Sequence, residues 1–413
     1  MAKLRLDQAP PATLPLRFLL SMPAWGVVAG VMLLVDADVP LQTRWQPATL
    51  ALVHVYALGV LGNAMFGALL QFLPAAAGVE LRGSRGAPWL HALFNLAVAL
   101  LVLGLYTGAR WLLFAAGVLL PASFLWLAAM LLPGLVASAA ERLLRVGIGM
   151  AIGFGVATAG MGGALALVLA TYRTWSPALV DVHASLGVLG WIVLLLAAVG
   201  RVTMPMFQGT GAPPARAQAL WLAMVVTALV LACAWHTMHG GTALASVVAV
   251  AGASFAAAVL WLQQHARGSR RNALFLHWRA GSIALVLAAL ALLTNVRGGL
   301  VAGVLALGIG LPLLVGGMAL EIVPFVGWIA LRRAVPRGVQ LPGVQLLLPD
   351  ATRRRVLLVQ LAAAVPLLAA ALWPSPWLAR LAGLALLIAW LPHGRALGGA
   401  LRTARRFRRA HVV

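Results

Sequence analysis

The chain has 413 residues, 63% of them hydrophobic and 9% charged, with a formal net charge of +22. Soluble chains carry about 25% charged residues, so a soluble globular domain is excluded. The single cysteine, Cys233, excludes an intrachain disulfide framework.

A membrane-crossing helix takes about 20 predominantly apolar residues. Twelve such runs follow one another here: roughly 17–36, 47–74, 88–107, 111–133, 143–171, 178–206, 217–239, 241–263, 275–295, 298–331, 355–373 and 375–392. Little chain remains between them, so the expectation is an all-α, polytopic membrane protein with twelve transmembrane helices, a single integral membrane domain over 1–413. The stretch MAKLRLDQAP before helix 1 lacks a small-residue cleavage site, which predicts that helix 1 is retained. With a cytoplasmic N-terminus, the inner segments hold 25 of the 30 Lys and Arg, leaving Arg44, Arg110, Arg173, Arg297 and Arg380 outside. The positive-inside rule then places both termini in the cytoplasm, in a membrane of the bacterial inner (plasma) type. The tail RTARRFRRAH is expected to lie against anionic lipid head groups, and the basic excess needs no nucleic-acid partner.

Helices 2, 6 and 10 carry a common pattern. Helix 2 reads HVYALGVLGNAMFGALLQFLP from His54 to Pro74, and helix 6 reads HASLGVLGWIVLLLAAVGRVTMP from His183 to Pro205. Helix 10 supplies ALGIGLPLLVGGMALEIVP, ending at Pro324. The spacing predicts three pseudo-repeated four-helix units, approximately 375–413 with 1–74, 88–206 and 217–331. Repeats of this kind are common in membrane proteins, and their glycines let helices approach closely.

Four histidines fall toward the predicted outer face: His54, His183, and in helix 7 the pair His236 and His239 of CAWHTMHGG. Residues three apart share a helix face, and imidazoles suit copper, zinc or iron. Two readings stand side by side, a metal or haem site, or histidines solvated at the interface and hydrogen-bonded in the core. His91, His265, His277 and His393 fall toward the inner face and His411 in the tail, all read as structural or solvated. Asp181 either orients an imidazole or caps helix 6. Tyr56 and Tyr172 lie near the same face, and Glu321, aligned with Gln71, is an acidic group inside a span, near the inner end of helix 10.

On these segments the chain resembles subunit I of the haem-copper oxidases and nitric oxide reductases, a twelve-helix family with pseudo-threefold symmetry. The helix-2 stretch is similar to the family's segment carrying a low-spin haem ligand, which implies that role for His54. The helix-6 stretch implies a copper or iron ligand in His183, and His236 and His239 resemble the paired helix-7 ligands. Helix 10, which supplies haem ligands in the family, has no histidine here, with Gly303 or Val304 in the slot. That departure argues against a fully competent proton-pumping oxidase. The string GWIVLLLAAVGRVTMPMFQGT, with PMFQ at Pro205 to Gln208, also looks like membrane proteins of the NnrS type. The resemblance implies copper and/or haem b, possible oxidoreductase chemistry, respiratory-chain subunits as partners besides the lipid bilayer, and a role in respiratory metal handling or nitric oxide response. The open alternative is a cofactor-free transporter or accessory protein on the same scaffold.

Overall fold

The structure is a computed structural model and describes residues 8–171, 173, 175–266, 271–336 and 338–411. Among the described residues there is no strand, and twelve helices are long and apolar enough to cross a membrane. They are α1 Thr13–Asp36, α2 Pro47–Ala77, α3 Ser84–Thr107, α4 Arg110–Ala137, α5 Arg142–Leu169, α6 Pro177–Gln208, α7 Ala215–His239, α8 Ala243–Gln264, α9 Ala273–Leu293, α10 Val296–Ala334, α11 Asp350–Leu372 and α12 Pro376–His411. The chain is a multi-pass, all-helical membrane protein. Its outward surface agrees with this environment. Large apolar side chains such as Phe114, Leu231, Leu358 and Val365 are exposed, and exposed Trp89, Trp111, Trp373 and Trp377 sit near helix ends, where indoles favour the membrane–water boundary.

Helix 12 runs much further than the apolar run that announced it. The sequence reading stopped at Pro392, before the arginines that follow, whereas α12 continues unbroken to His411. A proline inside a long apolar helix is tolerated when neighbours satisfy the freed carbonyl.

The described residues form two compact units. One comprises Val79–Arg270 and Ser282–Leu305, the other Lys3–Gly78, Arg271–Gly281 and Ala306–Val413. In the first unit, α4 and α5 meet backbone to backbone. A Cβ on Gly117 would stand 3.0 Å from the Gly163 carbonyl oxygen, and one on Gly163 would meet the Gly117 oxygen closer still. Such contact needs small residues. An aromatic chain, Phe94 to Phe124 at 6.1 Å and Phe124 to Trp191 at 5.8 Å, then ties α3 and α4 to α6, with Trp191 packed over Gly155 of α5.

The second unit repeats the glycine device between α1 and α12. A Cβ on Gly30 would lie 2.9 Å from the Gly383 oxygen, and one on Gly383 would lie 2.7 Å from the Gly30 oxygen. Around this seam Trp390 lies on Gly26 and Trp25 on Gly59, while Phe18 packs on Phe66 at 5.7 Å.

The three repeated stretches share a backbone peculiarity. Val55–Gly62, Leu186–Val193 and Val304–Gly310 are all π-helical, one in each of α2, α6 and α10. Such wide turns are rare and concentrate at functional places. The likeness among the three helices is thus one of conformation as well as residues.

Candidate functional site

Of the four histidines singled out in the sequence, His54 belongs to the second unit and His183, His236 and His239 to the first. His54 stands at the start of its π stretch, and its Nδ1 donates to the Leu50 carbonyl at 2.7 Å, the local bond that an imidazole makes to the preceding turn. His183 packs edge-on against Gly162 of α5, where a Cβ would meet its Cε1 at 2.7 Å. The Nε2 of His236 lies 3.4 Å from the Asp181 carboxylate. His239 is exposed and stacks on Trp235 with ring centroids 4.1 Å apart.

Asp181 therefore faces the helix-7 imidazole. The N-cap position of α6 is Ser176, with no side-chain cap bond. Tyr56 is buried in the second unit, and Tyr172 lies outside the described residues. Among the described residues, no three His, Cys, Asp or Glu side chains stand where they could hold one metal ion. Copper held by His183, His236 and His239 would require such convergence.

A different constellation lies within the second unit. His277 of α9 and His393 of α12 are each 0% exposed, and both lie against α10. The glycine pair Gly316–Gly317 makes this possible. A Cβ at Gly317 would collide with His277, and one at Gly316 would stand 3.1 Å from the His393 ring. The His277 Nδ1 donates to the Ala273 carbonyl at 2.8 Å, which leaves Nε2 as the acceptor in the neutral ring. The Gln360 Nε2 of α11 donates to His393 Nδ1 at 3.1 Å, so the neutral His393 carries its proton on Nε2. Gln360 also faces His277, although neither Nε2 of the two histidines nor Gln360 Oε1 completes a hydrogen bond of normal geometry.

Beside them, Arg353 of α11 pairs with Glu321 of α10 at 3.0 Å, both nearly fully buried. Arg354, one residue on, pairs with Asp350 at 2.7 Å, and Asp350 also caps the backbone N–H of Ala273 at the start of α9. Four helices thus bring two imidazoles, a carboxylate, a guanidinium and a carboxamide together inside one unit. Ionisable side chains inside membrane spans are rare and expensive, and they mark substrate paths and proton relays.

Sequence reasoning placed His277 and His393 among structural or solvated residues. For His393 and for the neighbouring Arg353 the cause was helix ends. Helix 12 was ended one residue before His393 and helix 11 begun two residues after Arg353, whereas both residues lie inside continuous helices. The available signal was the Gly316–Gly317 pair, which opens a face of α10 wide enough for two rings.

No known protein family matches the chain, and comparison with curated proteins found no similar one.

Proposed function

We propose that this protein is a membrane transporter that moves protons, alone or coupled to a small solute, through the buried His277–Gln360–His393 group and its Glu321–Arg353 pair. The observation that carries this reading is the incomplete hydrogen bonding of two fully buried imidazoles from different helices, with titratable groups beside them. A buried group left short of partners is costly, and one that exchanges protons gains a use for that shortfall. The basic asymmetry of the loops, in this reading, sets both termini on the cytoplasmic side. The test is proton flux into proteoliposomes under an imposed potential. Wild type should acidify the lumen, and Glu321→Gln should lose most of the flux; equal flux in both would remove Glu321 from the path.

A second reading is favoured by one specific observation, the π stretch in α2, α6 and α10 at the segments resembling oxidase subunit I. In it the chain is an oxidase-subunit-I-like protein binding copper or haem through His54, His183, His236 and His239, with respiratory-chain subunits as partners. A reduced-minus-oxidised visible spectrum with copper and iron quantification on purified protein decides it. A haem band, or metal lost in His183→Ala, supports this reading. A colourless, metal-free protein after reconstitution rejects it.

A further inference from the structure

α12 is 36 residues long, about 54 Å at 1.5 Å per residue, against a hydrocarbon core of about 30 Å. Exposed Trp373 and Trp377 mark its start at the membrane–water boundary. About 20 residues from there reach Leu397, so Gly398–His411 extends about 21 Å past the hydrocarbon. The helix stays beside α10 as it leaves. A Cβ on Gly316 would stand 3.1 Å from His393, and at the same spacing along both helices a Cβ on Gly327 would stand 3.7 Å from the Ala404 Cβ. These two contacts keep α12 running along a membrane-crossing helix instead of turning into the membrane plane.

The extension uses its apolar face on the protein itself. Ala404 and Phe407 pack with Leu331 of α10 and with Leu347 of the short helix Val344–Leu347. An interfacial helix lies flat on a membrane by burying that same kind of face, and here it is already covered. Arg402, Arg405, Arg406 and Arg409 are exposed. They fall within about 100° of one another round the helix, on the side opposite buried Leu397, Ala400 and Ala404. Among the described residues none of the four forms an ion pair; Glu141, Glu321 and Asp350 are engaged by Arg201, Arg353 and Arg354 instead. The head-group layer adds about 5–8 Å to each side of the core. It reaches the level of Arg402 and leaves Arg405, Arg406 and Arg409 beyond it.

We infer that this face of the α12 extension docks an acidic helical segment of a partner protein, through Arg402, Arg405, Arg406 and Arg409. The four stand at helix spacings of three and four residues, so a partner helix with carboxylates at the same intervals meets the row side by side. Guanidinium forks match carboxylates through paired hydrogen bonds. A planar lipid surface meets only the foot of a row that runs away from the membrane, whereas a helix follows its whole length. Each exposed pair is weak and screened by salt, so the row acts as a set. The inference stands apart from the transport reading and survives its failure.

The test uses the full chain in phosphatidylcholine nanodiscs and two fluorescent, alanine-based helical peptides of one composition. One carries its glutamates three and four residues apart along one face, and the other has them spread round the helix. The one-faced peptide is expected to bind about tenfold tighter and to weaken about tenfold from low to high salt. Equal binding of the two peptides overturns the proposal, because bulk charge then explains it, and this comparison needs no variant that must fold. The combined variant Arg402→Gln, Arg405→Gln, Arg406→Gln and Arg409→Gln is expected to lose the preference at an unchanged melting point. A charge-matched variant at exposed arginines elsewhere, Arg82→Gln, Arg85→Gln, Arg142→Gln and Arg216→Gln, is expected to keep it. Loss in both variants, or in neither, overturns the proposal. Phosphatidylglycerol in the nanodiscs separates lipid from protein: a preference that persists supports the protein partner, and one that vanishes shows head groups covering the row and overturns it. A single-stranded oligonucleotide bound more tightly than the one-faced peptide, and only while the four arginines are present, assigns the row to nucleic acid and also overturns it.

Discussion

Arg353 and Glu321 show how a single residue carries the cost of buried charge. Both are almost wholly removed from solvent, and each is the other's ionic partner at 3.0 Å. Removing one partner of a buried pair typically costs about 3–5 kcal/mol, whereas replacing both with apolar residues is often neutral. Arg353→Met is therefore expected to lower stability in detergent by about 3 kcal/mol or more, and the double variant Glu321→Leu with Arg353→Met is expected to recover most of that loss. Equal melting points for the single and double variants would mean that the pair is not the source of the effect. The pair also explains why the sequence was silent. Glu321 was visible as an acidic group within a span, but its partner Arg353 lies in the first turn of a helix whose start was placed after it. A charged residue near a helix end reads as a loop residue until the neighbouring helix that covers it is known.

At the scale of elements, the twelve spans were legible because each is a long apolar run, and the bilayer leaves few other ways to bury one. Their ends were less legible where an amphipathic or basic extension continues the helix, as in α12. The repeated LGVLG and ALGIG strings were legible as strings. Their π backbone was not, because the wide turn lies in the pattern of backbone ladder bonds rather than in any one residue type. The four histidines share a predicted level, but His54 lies in one unit and His183, His236 and His239 in the other, which the predicted level did not reveal. Glycine seams behave more simply. Gly30 and Gly383 touch each other's carbonyls, so a larger side chain at either must force α1 and α12 apart. Gly383→Leu is expected to cost about 1–3 kcal/mol by overpacking, read as a lower melting point, and Gly398→Leu, where a Cβ meets nothing, should change little. A similar loss from both would show that helix propensity, not the seam, is responsible.

For the whole molecule, the membrane class rests on composition and on twelve spans, and the function rests on where ionisable groups are hidden. The charged residues are few, with 8 Asp and Glu in 413 positions. That makes a cluster of two buried histidines, an ion pair and a carboxamide a concentrated departure from an otherwise apolar interior. It lies within one compact unit, on four helices that together include both ends of the described fold's last hairpin, α11 and α12. The most direct measurement is proton flux into proteoliposomes under a potassium diffusion potential, comparing wild type with the variant His277→Leu and His393→Leu. The account predicts acidification by wild type well above protein-free vesicles, and its loss in a double variant that keeps its melting point. Wild type indistinguishable from protein-free vesicles, or a double variant with unchanged flux, would contradict it.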